Sequence, residues 1–84
     1  MPLEKKSVHI YYYAALREER GINEEVLETN VSTALQLYNE LKKQFHFKLS
    51  TDILRVAIND EFVDWQTKLK NKDSIVFIPP VAGG

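Results

Sequence analysis

With 84 residues, 44% of them hydrophobic, the chain has room for one domain with one modest core, and none for a second domain carrying a separate active site. Lys and Arg total 11 against 12 Asp and Glu, a formal net charge of -1, so no strong field draws the molecule toward nucleic acid. Cysteine is absent, which removes disulfides, thiolate metal sites and a cysteine nucleophile together. No apolar run is long enough to cross a membrane and "MPLEKKSV" lacks the apolar stretch of a secretion signal, so a cytoplasmic chain is expected.

In chain order, Met1 to Lys6 read as a loose extension. "SVHIYYYAAL" is rich in β-branched and aromatic residues. Its alternation predicts a first strand with Val8, Ile10 and Tyr12 on one face and His9, Tyr11 and Tyr13 on the other. "REERGINEE" reads as a charged loop turning at Gly21, and "EVLET" as a second strand paired back on the first. A helix is predicted over Thr33 to Phe45, because Ala34, Leu37, Tyr38, Leu41 and Phe45 recur along a single apolar stripe. Thr33 with Gln36 matches a capping box, Ser32 is the other candidate cap, and Lys42 and Lys43 suit the C-terminal end of the helix dipole. "DILRVAIND" reads as a strand with Leu54, Val56 and Ile58 inward and Arg55 and Ala57 outward, turning at Asn59-Asp60-Glu61 into a short "FVDW". "DSIVFI" is a last strand, with Ile75 and Phe77 on one face and Val76 and Ile78 on the other, and Pro79-Pro80 stops it.

One helix lying across a mixed sheet of about four to five strands is an α+β arrangement. With that helix in the crossover between an early hairpin and the later strands, the pattern fits the β-grasp. Residues 1–78 then form a single domain and residues 79–84 an extended tail. One helix covers one face of the sheet only, so the opposite face is expected to be polar. Instead Tyr11, Tyr13, Ala57, Val76 and Ile78 fall there on neighbouring strands, with Phe62 on the adjoining turn, a continuous patch that predicts a partner surface.

The ending "FIPPVAGG" is the second unusual feature. Pro79 and Pro80 hold the stalk extended, and Val81 and Ala82 carry no polar side-chain group. Gly83 and Gly84 lack a Cβ, so the end can pass through a slot too narrow for side chains and the terminal carboxyl carbon is open to attack. Such a stalk reaches roughly 20 Å when extended. Elsewhere, His9 and His46 lie far apart with no second ligand at metal spacing, so no metal site is expected. Asp60, Glu61 and Asp64 read as a solvated turn or a rim contact, Trp65 as packing at the edge of the core, and Lys68, Lys70 and Lys72 as a solvated face.

"VHIYYYAALRE", "RVAINDEFV" and "DSIVFIPPVAGG" together resemble the small, sulfur-carrying subunit of molybdopterin synthase, the MoaD type of ubiquitin-like β-grasp protein. The resemblance runs from Val8 to Gly84 and is strongest in "PPVAGG", whereas Asn23 to Thr51 match only in pattern. Lys72 departs from it, standing where a glycine is usual before the Asp of the last turn. If Lys72 adopts a positive φ, the strain is about 1 kcal/mol.

The resemblance implies a carrier without catalytic residues of its own. An adenylating E1-like enzyme joins Gly84 to AMP from ATP, a sulfur donor protein converts it to a thiocarboxylate, and no cofactor is bound to the carrier itself. The arm formed by Pro79, Pro80, Val81, Ala82 and Gly83 then inserts into the large synthase subunit, in a 2:2 heterotetramer, where the sulfur attacks cyclic pyranopterin monophosphate. Tyr11, Tyr13, Arg17, Phe62, Val76 and Ile78 would meet that partner, and the catalytic acids and bases would lie on it. Three other roles remain open: a carrier for thiamine thiazole or cysteine synthesis, a modifier conjugated to protein lysines through Gly84, and a plain interaction module with an incidental tail.

Overall fold

Two parallel strands with branched and aromatic residues facing inward organise the sheet in a computed structural model that describes residues 5–80. They are β1 (Lys6–Tyr12) and β5 (Ser74–Ile78), set so that Ile10 lies beside Ile75 and Tyr12 beside Phe77. α1 (Ala14–Arg20) follows β1, β2 (Glu24–Thr29) returns antiparallel to it, and α2 (Ala34–Phe45) crosses to β3 (Arg55–Ile58) and β4 (Glu61–Val63). The strand order is β2-β1-β5-β3-β4, with β3 antiparallel to both β5 and β4. A mixed five-stranded sheet with the main helix in the crossover is the β-grasp.

The predicted inward residues form the core. Val8, Ile10 and Tyr12 of β1, Val56 and Ile58 of β3, and Ile75 and Phe77 of β5 pack with Ala34, Leu37, Tyr38 and Leu41 of α2. Tyr38 sits at the centre of an aromatic cluster, its ring 5.2 Å from Phe77, 5.8 Å from Trp65 and 6.0 Å from Phe47. Its hydroxyl donates to the Leu49 carbonyl at 2.6 Å, and burial, with the Glu19 charge adding to it, raises its pKa to about 12. Trp65 stacks on Phe77 at the edge of the core. Phe47 and Leu69, on segments with no helical or strand periodicity, are buried as well.

α2 begins as its sequence predicts. The Gln36 amide donates to the Thr33 hydroxyl and the Thr33 amide to the Gln36 side chain, a complete capping box, and Thr33 rather than Ser32 is the cap. Two further amides that a helix start leaves unpaired, those of Ala34 and Leu35, donate to the carbonyls of Thr67 and Trp65. The segment after β4 is thereby laced to the helix.

Three expectations need correction. Residues 14–20, read as the end of a strand and a charged loop, form α1, and Tyr13 is its N-cap. Only Leu16 of that helix is buried, so no apolar stripe announced it. Gly21 closes it at φ 87, its amide donating to the Arg17 carbonyl. Lys6, placed in the loose extension, is the first residue of β1, pairs with Thr29, and donates from Nζ to the Val31 carbonyl. Ala57 is on the outward face as predicted but buried, because its cross-strand neighbours Val76 and Phe62 flank it.

Lys72 does take a positive φ, 72°, with its amide donating to the Ser7 carbonyl. Replacing this exposed lysine with glycine is therefore expected to raise stability by up to about 1 kcal/mol, read as a higher urea midpoint at unchanged slope. A lower midpoint would mean that the Lys72 side chain contributes more than its backbone strain removes.

Candidate functional site

α2 occupies one face of the sheet, and the candidate site lies on the other. Side chains at alternate positions of three adjacent strands project there: Val76 and Ile78 of β5, Ala57 of β3 and Phe62 of β4. With Tyr13 and Asp60 they line a shallow groove of about 240 Å³, of which nearly buried Ala57 is the floor. Phe62 is 64% exposed and Tyr13 52%, and both are among the few large apolar side chains of the described residues left to water. The Arg55 guanidinium lies 5.7 Å from the centre of the Phe62 ring, a cation–π contact at the rim.

The groove reaches the last residue of β5. Ile78 is both a groove wall and the last residue of β5; half-buried Pro79 and exposed Pro80 follow it directly. Val81, Ala82, Gly83 and Gly84 lie outside the described residues. Tyr11, expected in the patch, is on the same face beside Val76, but its ring stacks on His9 with centroids 4.4 Å apart and does not line the groove. Arg17 is exposed on α1, away from the lining. His9 Nε2 lies 2.6 Å from a Glu24 carboxylate oxygen, and among the described residues no three His, Asp or Glu side chains converge as metal ligands would. No helix of the described residues is long and apolar enough to cross a membrane.

The sequence now decides the family, because the model of the ThiS family matches residues 10–84, from the middle of β1 through the tail. This chain belongs to the ThiS family. It is 31% identical over 80 residues to the molybdopterin synthase sulfur carrier subunit of Haemophilus influenzae, covering 92% of this chain and 99% of that one. Among solved structures it is similar to a Pyrococcus furiosus protein assigned as subunit 1 of molybdopterin converting factor, with a TM-score of 0.75 and 28% identity across 90% of this chain and 99% of that one. It is also similar to a chain in the complex of subunits 1 and 2 of molybdopterin-converting factor from Helicobacter pylori, with a TM-score of 0.63 and 25% identity across 93% of this chain and 99% of that one.

In this ThiS-family chain α1 is held by a clasp that its sequence did not announce. Arg20 donates from Nε and a terminal nitrogen to both oxygens of Glu25 on β2, at 2.9 and 2.8 Å, while the Tyr12 hydroxyl donates to the same carboxylate at 2.6 Å. The guanidinium also lies over the Phe45 ring, 3.9 Å from its centre. The clasp fixes the far end of the helix whose N-cap is Tyr13, so it bears on the groove without touching it. Arg20 and Glu25 flank the Gly21 turn, and that bracketing was the available signal.

Burial alone would raise the Glu25 pKa, but the bonds from Arg20 and Tyr12 outweigh it and hold the carboxyl below its ordinary 4.5. A lowered folded-state pKa gives stability that is fully present above the ordinary value and lost as pH falls through the lowered one. Glu25→Gln is expected to be less stable than the parent at neutral pH by about 2 kcal/mol, with the gap closing as the medium is acidified. Urea titrations across a pH series check this. A gap that stayed constant into acid would show that the carboxylate charge is not what stabilises the clasp.

Proposed function

We propose that this ThiS-family chain is the sulfur carrier subunit of a molybdopterin synthase, with the Gly84 carboxylate as its working group. The observation that carries the reading is the apolar groove built on β5, β3 and β4, whose wall Ile78 runs directly into the proline stalk before the Gly-Gly end. A partner seated on that groove would receive the tail. The molybdopterin carrier from Haemophilus influenzae, 31% identical to this chain, and the two-subunit complex from Helicobacter pylori support this choice over a thiazole or cysteine carrier.

In this reading the chain supplies a carbonyl carbon and a place to hold it. A carboxylate is a poor electrophile, so an adenylating E1-like enzyme first joins the Gly84 oxygen to the α-phosphorus of ATP and releases pyrophosphate. The terminal sulfur of a donor-protein persulfide adds to the carbonyl carbon as AMP departs, and a thiol then cleaves the S–S bond of the resulting acyl disulfide, leaving the Gly84 thiocarboxylate and a disulfide. In this reading ATP is consumed by the activating enzyme, and the steps take place in the cytoplasm. The charged tail, Pro79 to Gly84, then enters the large subunit of the synthase, where its sulfur attacks cyclic pyranopterin monophosphate and water restores the carboxylate. Positioning is the carrier's contribution: a stiff arm anchored at a docked groove converts a dilute encounter into a local one. A 2:2 complex with the large subunit completes the proposal.

Reconstitution tests it. Carrier bearing a chemically installed Gly84 thiocarboxylate, mixed with the large synthase subunit and cyclic pyranopterin monophosphate, is expected to yield molybdopterin. The same carrier active with a thiazole-forming or cysteine-forming enzyme, and inert with the synthase subunit, would reassign the pathway while keeping the carrier chemistry.

A further inference from the structure

The groove is apolar except at one point. Among the described residues Asp60 is the only charged side chain in its lining, and it sits at the β3–β4 turn beside Phe62. Its position is set by the backbone, since Asn59 and Asp60 both hold left-handed conformations, φ 53 and 72. Asn59 in turn is pinned: its Nδ2 donates to an Asp73 carboxylate oxygen at 3.0 Å, and its Oδ1 accepts the Ser74 amide at 3.0 Å. Among the described residues Arg20 pairs with Glu25 and the His9 ring meets Glu24, whereas Asp60 is exposed at the rim and is in neither contact.

That arrangement discriminates between partners. A purely apolar surface settling on Phe62 and Ile78 strips water from a carboxylate and gives nothing back, which is strongly unfavourable. A surface with a cation at that spot replaces the water by a charge-assisted hydrogen bond in a partly dehydrated site. We propose that Asp60 selects the docking partner by charge: the surface that fills this groove presents an apolar side chain to Phe62 and Ile78 and, beside it, a lysine or arginine that pairs with Asp60. The inference rests on the groove being the docking site for the large synthase subunit and adds the chemistry that the partner must carry.

Glu61 provides the control. It is the next residue and carries the same charge, but it pairs across the hairpin with Ile58 and lines a separate cleft with Val63 and Lys68. Calorimetric titration of the large synthase subunit into Asp60→Asn, Asp60→Lys, Glu61→Gln and Phe62→Asp carriers tests the proposal. Asparagine tolerates a left-handed φ, so the turn is preserved in the first variant. Asp60→Asn is expected to bind about tenfold more weakly and with a flatter salt dependence, and Asp60→Lys roughly a hundredfold more weakly, from lost pairing and like-charge contact. Glu61→Gln is expected to match the parent. Parental affinity for Asp60→Asn beside weakened Phe62→Asp would overturn the proposal and leave the groove a purely apolar dock. Parental affinity for both would remove the groove as the docking site, and the proposal with it. Equal weakening by Glu61→Gln would show an effect of net charge and also overturn it.

Discussion

Deleting Gly84 is expected to abolish sulfur transfer while leaving the thermal unfolding of the carrier where it was. The core ends in sequence at Phe77, and the groove wall at Ile78, so a residue beyond both can be removed without taking a buried side chain from the described fold. Transfer, in contrast, depends on one carbonyl carbon at one place. Shortening the arm by a residue withdraws its end by about 3.5 Å, and misplacement on the scale of 1 Å already lowers a positioned reaction by about a hundredfold. Replacing Gly83 with a bulky residue should act in the same way by blocking entry. Circular dichroism and melting curves that match the parent, beside transfer below detection, are the expected pair. Full transfer by the shortened carrier would mean that the sulfur travels on another group.

The second large effect concerns the groove. Phe62 is 64% exposed in the free carrier, so Phe62→Asp replaces a side chain already in water and should leave the fold intact. Burying that ring against a partner contributes on the order of 1.5–3 kcal/mol, and an aspartate there would bring an unpaired charge into the interface as well. Binding to the large subunit is therefore expected to fall by more than about tenfold. Ile78→Asp is predicted to act similarly, although Ile78 is half-buried and some stability will be lost with it. Ile58→Asp, on the opposite side of the same strand pair, should instead unfold the chain, because Ile58 is a core residue. Equal affinity for Phe62→Asp, or unfolding by it, would mean that the two faces of the sheet have been assigned the wrong way round.

These contrasts rest on face assignments that period-2 alternation made legible. Val76 and Ile78 against Ile75 and Phe77 alternate cleanly in β5, and Arg55 and Ala57 against Val56 and Ile58 take opposite faces in β3 even though Ala57 is buried, because both strands lie inside the sheet with α2 burying one face. The long helix was readable for the same reason, its stripe and its capping box being local facts. α1 was not. With Leu16 alone buried, its stability comes from Gly21, from the Arg20–Glu25–Tyr12 clasp and from Phe45, polar and cation–π contacts that hydrophobic periodicity does not register. Phe47 and Leu69 were missed likewise, because irregular segments deliver them to the core. In the groove, Tyr13 was placed by carrying the β1 alternation one residue past the strand and Phe62 by its position beside the β3–β4 turn, although it lies in β4, whereas Asp60 reaches the rim through two consecutive left-handed residues, a backbone path that composition leaves open.

The central claim, that Gly84 carries the sulfur, is tested most directly by the mass of the intact chain. After incubation with an E1-like activating enzyme, ATP and a sulfur donor, the account predicts a population heavier by the difference between one sulfur and one oxygen atom, with fragmentation placing that difference on the C-terminal peptide. An unchanged mass, from an activating enzyme shown in parallel to load another carrier, would contradict it.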